Sequence, residues 1–132
     1  MLTSVLAEKH SQDFLVTHHS MRTIDSIVEG HFSGHSPDFL KLDVQGYELE
    51  VLKGAEQSLS GMTGILAEVN LLDIHEGVPL LAEIIAWLAC RGWVAYDICA
   101  LTRRPLDQAL WQTDIFFTPE NSFLRQDKRW MS

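Results

Sequence analysis

Two short apolar runs in this chain of 132 residues end on side chains capable of chemistry. Phe39-Leu40-Lys41-Leu42 leads into Asp43 and Val44, with Gln45 and Glu48 close behind; Ile65-Leu66-Ala67 leads into Glu68 and Val69, with Asn70 and His75 beyond. A carboxylate placed after several apolar strand residues is costly to bury without a partner. With a raised pKa it can take a proton as a general base, and in its ionised form it can orient a hydroxyl. Asp43 and Glu68 are therefore the candidate catalytic groups, and Glu48, Asn70 and His75 the candidate substrate contacts. Each has a plainer alternative. Asp43 can cap the helix that follows it, Glu48 can face solvent or favour the positive helix end, Glu68 can hydrogen-bond to nearby backbone, and a loop histidine can be simply exposed.

Five of the six histidines fall in the first 35 residues (His10, His18, His19, His31 and His35), which raises the question of a metal. His31 and His35 are spaced i, i+4, but Gly30, Ser33 and Gly34 argue against a regular helix there. No cysteine or carboxylate completes a ligand set, so no metal site is expected. Cys90 and Cys99 have no CxxC spacing and no nearby histidine. They read as packing residues in a reduced, cytoplasmic protein, not as nucleophiles or a disulfide.

The elements that must position these side chains follow from periodicity. Phe39 to Val44 and Ile65 to Asn70 read as buried strands. Between them, Tyr47 to Leu59 takes a helical period with Tyr47, Val51, Ala55 and Leu59 on one stripe and Leu52 beside it. Pro79 opens a second helix with an apolar face of Leu80, Leu81, Ile84, Ile85 and Leu88, which Gly92 ends. Trp93 to Ile98 and Thr113 to Thr118 are further strands, joined by a loop over Leu101 to Ala109. Upstream, Phe14 to Val16 is a short strand candidate, and Thr23 to Glu29 a helical turn capped by Thr23. Strand, helix, strand, helix, strand, loop, strand predicts an α/β fold whose sheet is mostly parallel, with the last two strands an antiparallel hairpin at its edge. In such sheets ligands lie beyond the carboxyl ends of the strands, which selects Asp43, Gln45, Glu48, Glu68, Asn70 and Asp73.

Composition and charge narrow the function classes. Hydrophobic residues at 46% and charged residues at 21% suit one folded domain and not a disordered chain. No apolar run approaches the ~18 residues of a membrane span, and the start lacks the pattern of a secretory signal. The formal charge of -8 is concentrated between residues 36 and 120, while residues 121 to 132 carry a surplus of cations. That field disfavours binding to a phosphate backbone, so no nucleic-acid partner is expected. Three segments follow: an irregular start over 1–35, the α/β unit over 36–120, and a tail over 121–132.

The stretch from Pro37 to Ala55, PDFLKLDVQGYELEVLKGA, resembles the signature of the FkbM-type methyltransferases: a strand bearing an aspartate, a glycine, an acidic helix start and a Leu-Lys-Gly-Ala end. Thr23 to Ile27, Leu66 to Val69 and Gln112 to Phe117 agree with further landmarks in the same order. The resemblance implies a class I, Rossmann-like fold that uses S-adenosylmethionine to methylate oxygen, often a sugar or small-molecule hydroxyl. It places Asp43 at the cofactor-facing end of its strand, so Asp43 and Gln45 are the expected cofactor contacts and Asp43 and Glu68 the expected catalytic groups. Only the second half of that fold is matched, because no GxGxG occurs anywhere in the chain. The expectation is a C-terminal half-domain, with little activity by itself, whose strand over 39–44 is an uncovered edge. That edge is expected to pair with a second copy, with the Phe14 region or with a separate first half. The alternative is a non-catalytic half-fold that serves as a dimerisation or partner-binding module.

Overall fold

In a computed structural model that describes residues 17–132, the chain begins with helix α1 (Ile24–His31) and strand β1 (Phe39–Leu42), followed by helix α2 (Glu48–Lys53). Strand β2 (Gly64–Asn70), helix α3 (Leu81–Ala89) and the hairpin of β3 (Trp93–Arg103) and β4 (Leu110–Pro119) complete it. The Phe14 to Val16 strand candidate lies outside the described residues.

Thr23 caps α1 as its sequence position implies, its Oγ1 accepting the Ser26 N–H at 3.1 Å. The helix continues through Gly30 to His31, further than the glycines suggest. From its first turn the Asp25 carboxylate accepts the Gln57 N–H (3.1 Å), the Ser58 N–H (2.8 Å) and the Ser58 hydroxyl (2.6 Å). Burial alone raises the Asp25 carboxyl, but these three bonds outweigh it and hold its pKa below the ordinary carboxylate value. The contact reshapes the following segment. Gly54, where a Cβ would stand 3.3 Å from Thr23, ends α2, and the chain re-forms as a 3₁₀ turn over Ser58–Gly61. The single helix expected from Tyr47 to Leu59 is thus two pieces.

The sheet order is β1-β2-β4-β3. Only β1 and β2 pair in parallel; β4 lies antiparallel to both β2 and β3. This corrects the mostly parallel sheet expected from the element order. The hairpin is where it was expected, but its second strand inserts next to β2 and leaves β3 outermost. The choice has a physical cause: β4 carries the buried Ile115 and Phe117, whereas β3 is exposed beyond Val94. The hairpin also consumes part of the expected loop, since β3 runs on to Arg103.

Among the described residues, helices cover one face of the sheet and not the other. Ile65, Ala67, Val69, Ile115 and Phe117 project to the side of α2 and α3 and pack with Leu52, Ala55, Leu59, Ile84 and Leu88 in a single core. The intervening residues Leu66, Glu68, Phe116 and Asp114 face away, and no described helix covers them. Above the core, Arg91 stacks its guanidinium 3.7 Å from the Trp87 ring centroid and ties α3 to Glu56 at 2.8 Å. Cys90 and Cys99 are both exposed, which corrects their reading as packing residues. Among the described residues no helix is long and apolar enough to cross a membrane.

Candidate functional site

The turn from β1 to α2 is held by a buried carboxylate. Gln45 (φ 54°) and Gly46 (φ 98°) take consecutive left-handed conformations, the first of which a residue with a side chain seldom adopts. Glu48, 2% exposed, accepts the N–H groups of Gly46 (3.1 Å) and Val44 (3.3 Å) on the same oxygen, Oε1. Its role is to shape the turn from beneath. This corrects the reading of Glu48 as a substrate contact or a solvated helix residue, because its side chain is withdrawn from solvent.

The turn sets Asp43 and Gln45 at the exposed end of β1. The Asp43 side chain is 47% exposed, so the desolvation anticipated for a strand carboxylate is not what distinguishes it. Asp43 Oδ1 accepts from Gln45 Nε2 at 3.2 Å, and Oδ2 faces Lys41 Nζ at 3.5 Å. The two residues expected side by side are thus in contact.

Glu68 lies one strand over, on the uncovered face of β2. Its cross-strand partner is Asp114. Burial, then the charges of Asp43, Asp114 and Glu48, raise its pKa above the ordinary value, with Lys41 opposing them. Gln112 Nε2 holds the carboxylate at 3.0 Å from Oε2 and reaches Asn70 Oδ1 at 3.2 Å. Gln112 and Asn70 are themselves buried, at 5% and 2% exposure, so the amides fix Glu68 rigidly. Neither Gln112 nor Asp114 is among the candidates that the sequence offers. Their signal was the position of β4 beside β2, which no local pattern encodes.

Asn70 therefore serves chiefly to hold Gln112. His75 is half-buried in the loop that follows, its ring 6.2 Å from that of Trp111. The Trp111 indole N–H is buried there without a hydrogen-bond partner among the described residues. Asp73 is exposed in the same loop. Among the described residues no three His, Cys, Asp or Glu side chains are grouped to hold a metal ion. Two clefts, of about 560 and 450 Å³, lie at the other end of the sheet, against Asp25 and Ser58 and against Trp93 and Pro119 respectively.

The like-charge row of Asp43, Glu68 and Asp114 has a measurable cost. An acid whose folded pKa is raised destabilises the fold when ionised, and the loss disappears as pH falls through that raised value. Glu68→Gln keeps an oxygen for Gln112 and removes the repulsion. Urea unfolding should find it more stable than the parent at pH 7, by about 0.5–1 kcal/mol on the scale of cross-strand charge pairs. The difference should close as pH falls below the ordinary glutamate value of 4.5. A variant no more stable at pH 7 would remove the repulsion from the account.

In open α/β sheets ligands lie beyond the carboxyl ends of the strands, where this unit presents acidic and amide side chains on β1 and β2. The methyltransferase FkbM domain matches residues 7–94 of the chain, a span of 88 of its 132 residues. The chain belongs to the FkbM methyltransferase domain family. The match contains Asp43, Gln45, Glu48, Glu68, Asn70 and His75, while Gln112 and Asp114 lie beyond it. No curated protein and no solved structure matches the chain.

Proposed function

We propose that the chain forms one wall of an S-adenosylmethionine-dependent O-methyltransferase site, as the second half of a Rossmann-like domain acting on a small-molecule or sugar hydroxyl. The observation that supports this most directly is the Glu68 carboxylate held by Gln112 Nε2 at 3.0 Å in the same row as the exposed Asp43–Gln45 pair, with burial and neighbouring charges raising its pKa. A methylated oxygen loses its proton, and Glu68 is placed to receive one while Gln112 keeps its carboxylate in a fixed orientation. Asp43 and Gln45 are the groups that would hold the cofactor, whose sulfonium brings a transferable methyl group when bound. The donor set suits it: carboxylates favour a cation and can accept from ribose hydroxyls. Asp43 and Gln45 line one side of such a site. The remaining walls then come from another segment or chain joined at the open β1 edge, a second copy being the simplest source. The free cysteines agree with a reducing, cytoplasmic setting.

Calorimetric titration of the whole chain with S-adenosylmethionine and its demethylated product tests the reading. Binding in the submillimolar range is expected, weakened about tenfold in Asp43→Asn, for the loss of about one charge-assisted contact. No heat at millimolar ligand would defeat it for this chain. The second reading, a partner-binding half-fold without catalysis, is favoured by the open edge and face and would then stand.

A further inference from the structure

The side-chain amide of Gln112 has two hydrogens, and both are engaged. Nε2 donates to Glu68 Oε2 at 3.0 Å and to Asn70 Oδ1 at 3.2 Å. The strand register brings the three together: Gln112 stands opposite Asn70, and Glu68 is two residues back along β2 on the same face. Turning the Gln112 amide over would set its oxygen against the ionised Glu68, two acceptors with no hydrogen between them, so the carboxylate fixes which way the amide points. Asn70 then has to present its oxygen to the second hydrogen. Both amides are buried, where a lost bond is not made good by bulk water.

This arrangement makes the two oxygens of Glu68 unequal. An amide nitrogen donates and does not accept, so a proton on Oε2 would face a hydrogen. For Oε2 to carry the proton, two buried amides would have to turn over together. Among the described residues no hydrogen bond reaches Oε1.

We propose that Gln112 is a positioning residue: its donor keeps Glu68 Oε2 as a fixed acceptor, and Oε1 is the oxygen that takes the proton of a bound hydroxyl. In that step the hydroxyl O–H bond breaks, the proton passes to Oε1, and the electron pair stays on the hydroxyl oxygen, which becomes the nucleophile. The source of the proton rests on the methyltransferase reading; the inequality of the two oxygens rests on geometry alone. The same bond acts on proton affinity. Burial, Asp43 at the end of β1, Asp114 on β4 and Glu48 at the head of α2 all draw a proton toward Glu68, and Lys41 on β1 opposes them. Gln112 acts with Lys41, because a donor to a carboxylate favours its ionised form.

Nuclear magnetic resonance titration of the whole chain, labelled with ¹³C and ¹⁵N, tests the proposal without ligand or activity. The Glu68 carboxyl carbon is identified by its absence from Glu68→Gln. In the parent, the side-chain N–H signals of Gln112 should move with the same midpoint as that carbon, and in Glu68→Gln they should stay still. Gln112→Leu removes the donor at similar volume and should raise the proton affinity of Glu68 about tenfold, the scale of one hydrogen bond to a charged group. A proton on Oε2, with the amides turned, gives the opposite sign, since Gln112 would then favour the neutral acid. Gln112 signals indifferent to the Glu68 titration, or a Glu68 midpoint unmoved or lowered in Gln112→Leu, would each overturn the proposal. If Gln112→Leu does not fold, the parent titration decides. Failure to bind S-adenosylmethionine defeats the methyltransferase reading and leaves these signals as they are, so the two failures are distinguishable.

Discussion

Replacing Glu48 by alanine should cost about 2–4 kcal/mol of unfolding free energy, more than loss of an exposed helix carboxylate ever does. The side chain is 2% exposed and its Oε1 accepts from Val44 and Gly46. Removal leaves both N–H groups short of an acceptor in a buried setting and opens a void beneath the turn. It also releases the consecutive left-handed residues Gln45 and Gly46, whose conformation is unfavourable for Gln45 without such support. Glu48→Gln keeps the oxygen and the shape, so it should recover most of the loss, lying within about 1–1.5 kcal/mol of the parent, a neutral acceptor being weaker than a charged one. Urea unfolding of the two variants separates these terms. If the alanine variant stays within about 0.5 kcal/mol of the parent, the range of ordinary surface changes, Glu48 does not hold the turn.

Glu48 also shows where the sequence stopped being legible. The helix over 47–59 was readable from its period, but the stripe was placed on Tyr47, Val51, Ala55 and Leu59. Along that stretch Glu48, Leu52, Ala55 and Leu59 are buried, with Ser58 beside them. These have the same helical spacing with a carboxylate at its head, and a polar residue in a buried row is invisible to a hydrophobic pattern. The break after Lys53 was hidden for another reason: it is imposed by Thr23 and Asp25, some 30 residues away, through Gly54 and Ser58. Local signals served where local physics decides, as with the Thr23 cap and the Gly92 stop (φ 75°).

The site was legible to the same extent. Asp43, Gln45 and Glu68 follow from strand ends and from the Pro37 to Ala55 signature, and they do gather at one end of the sheet. What the spacing could not supply was the neighbour of β2. Once β4 occupies that position, Gln112 falls opposite Asn70 and Asp114 opposite Glu68, and Asp114 joins burial and Asp43 in raising the pKa of Glu68. Asp43 stands differently: the argument from burial singles it out, yet its carboxylate is half exposed. The side taken by the helices was likewise out of reach, since alternation along β4 shows two faces without marking either.

That two-sidedness leads to a contrast between neighbours in sequence. Phe116 and Phe117 are the same residue type on the same strand, and composition treats them alike. Phe117 is 1% exposed, faces the helices, and pairs in register with Ile65 and Ala95. Truncating it to alanine removes about 3–5 kcal/mol, the transfer of a whole ring plus the cavity it leaves in a core that cannot fully close. In a domain with only about 5–15 kcal/mol to lose, that brings the thermal midpoint down by tens of degrees or prevents folding outright. Phe116 faces the open side, where its ring covers Gly64 and touches Phe39 and Tyr96. Phe116→Ala forfeits only edge contacts and part of its burial, about 1 kcal/mol, and the solvent-facing site can relax around the loss. Thermal unfolding of the two variants followed by circular dichroism should separate them widely. Equal losses would mean that the second face is covered as well as the first, and the two-layer arrangement would have to be abandoned.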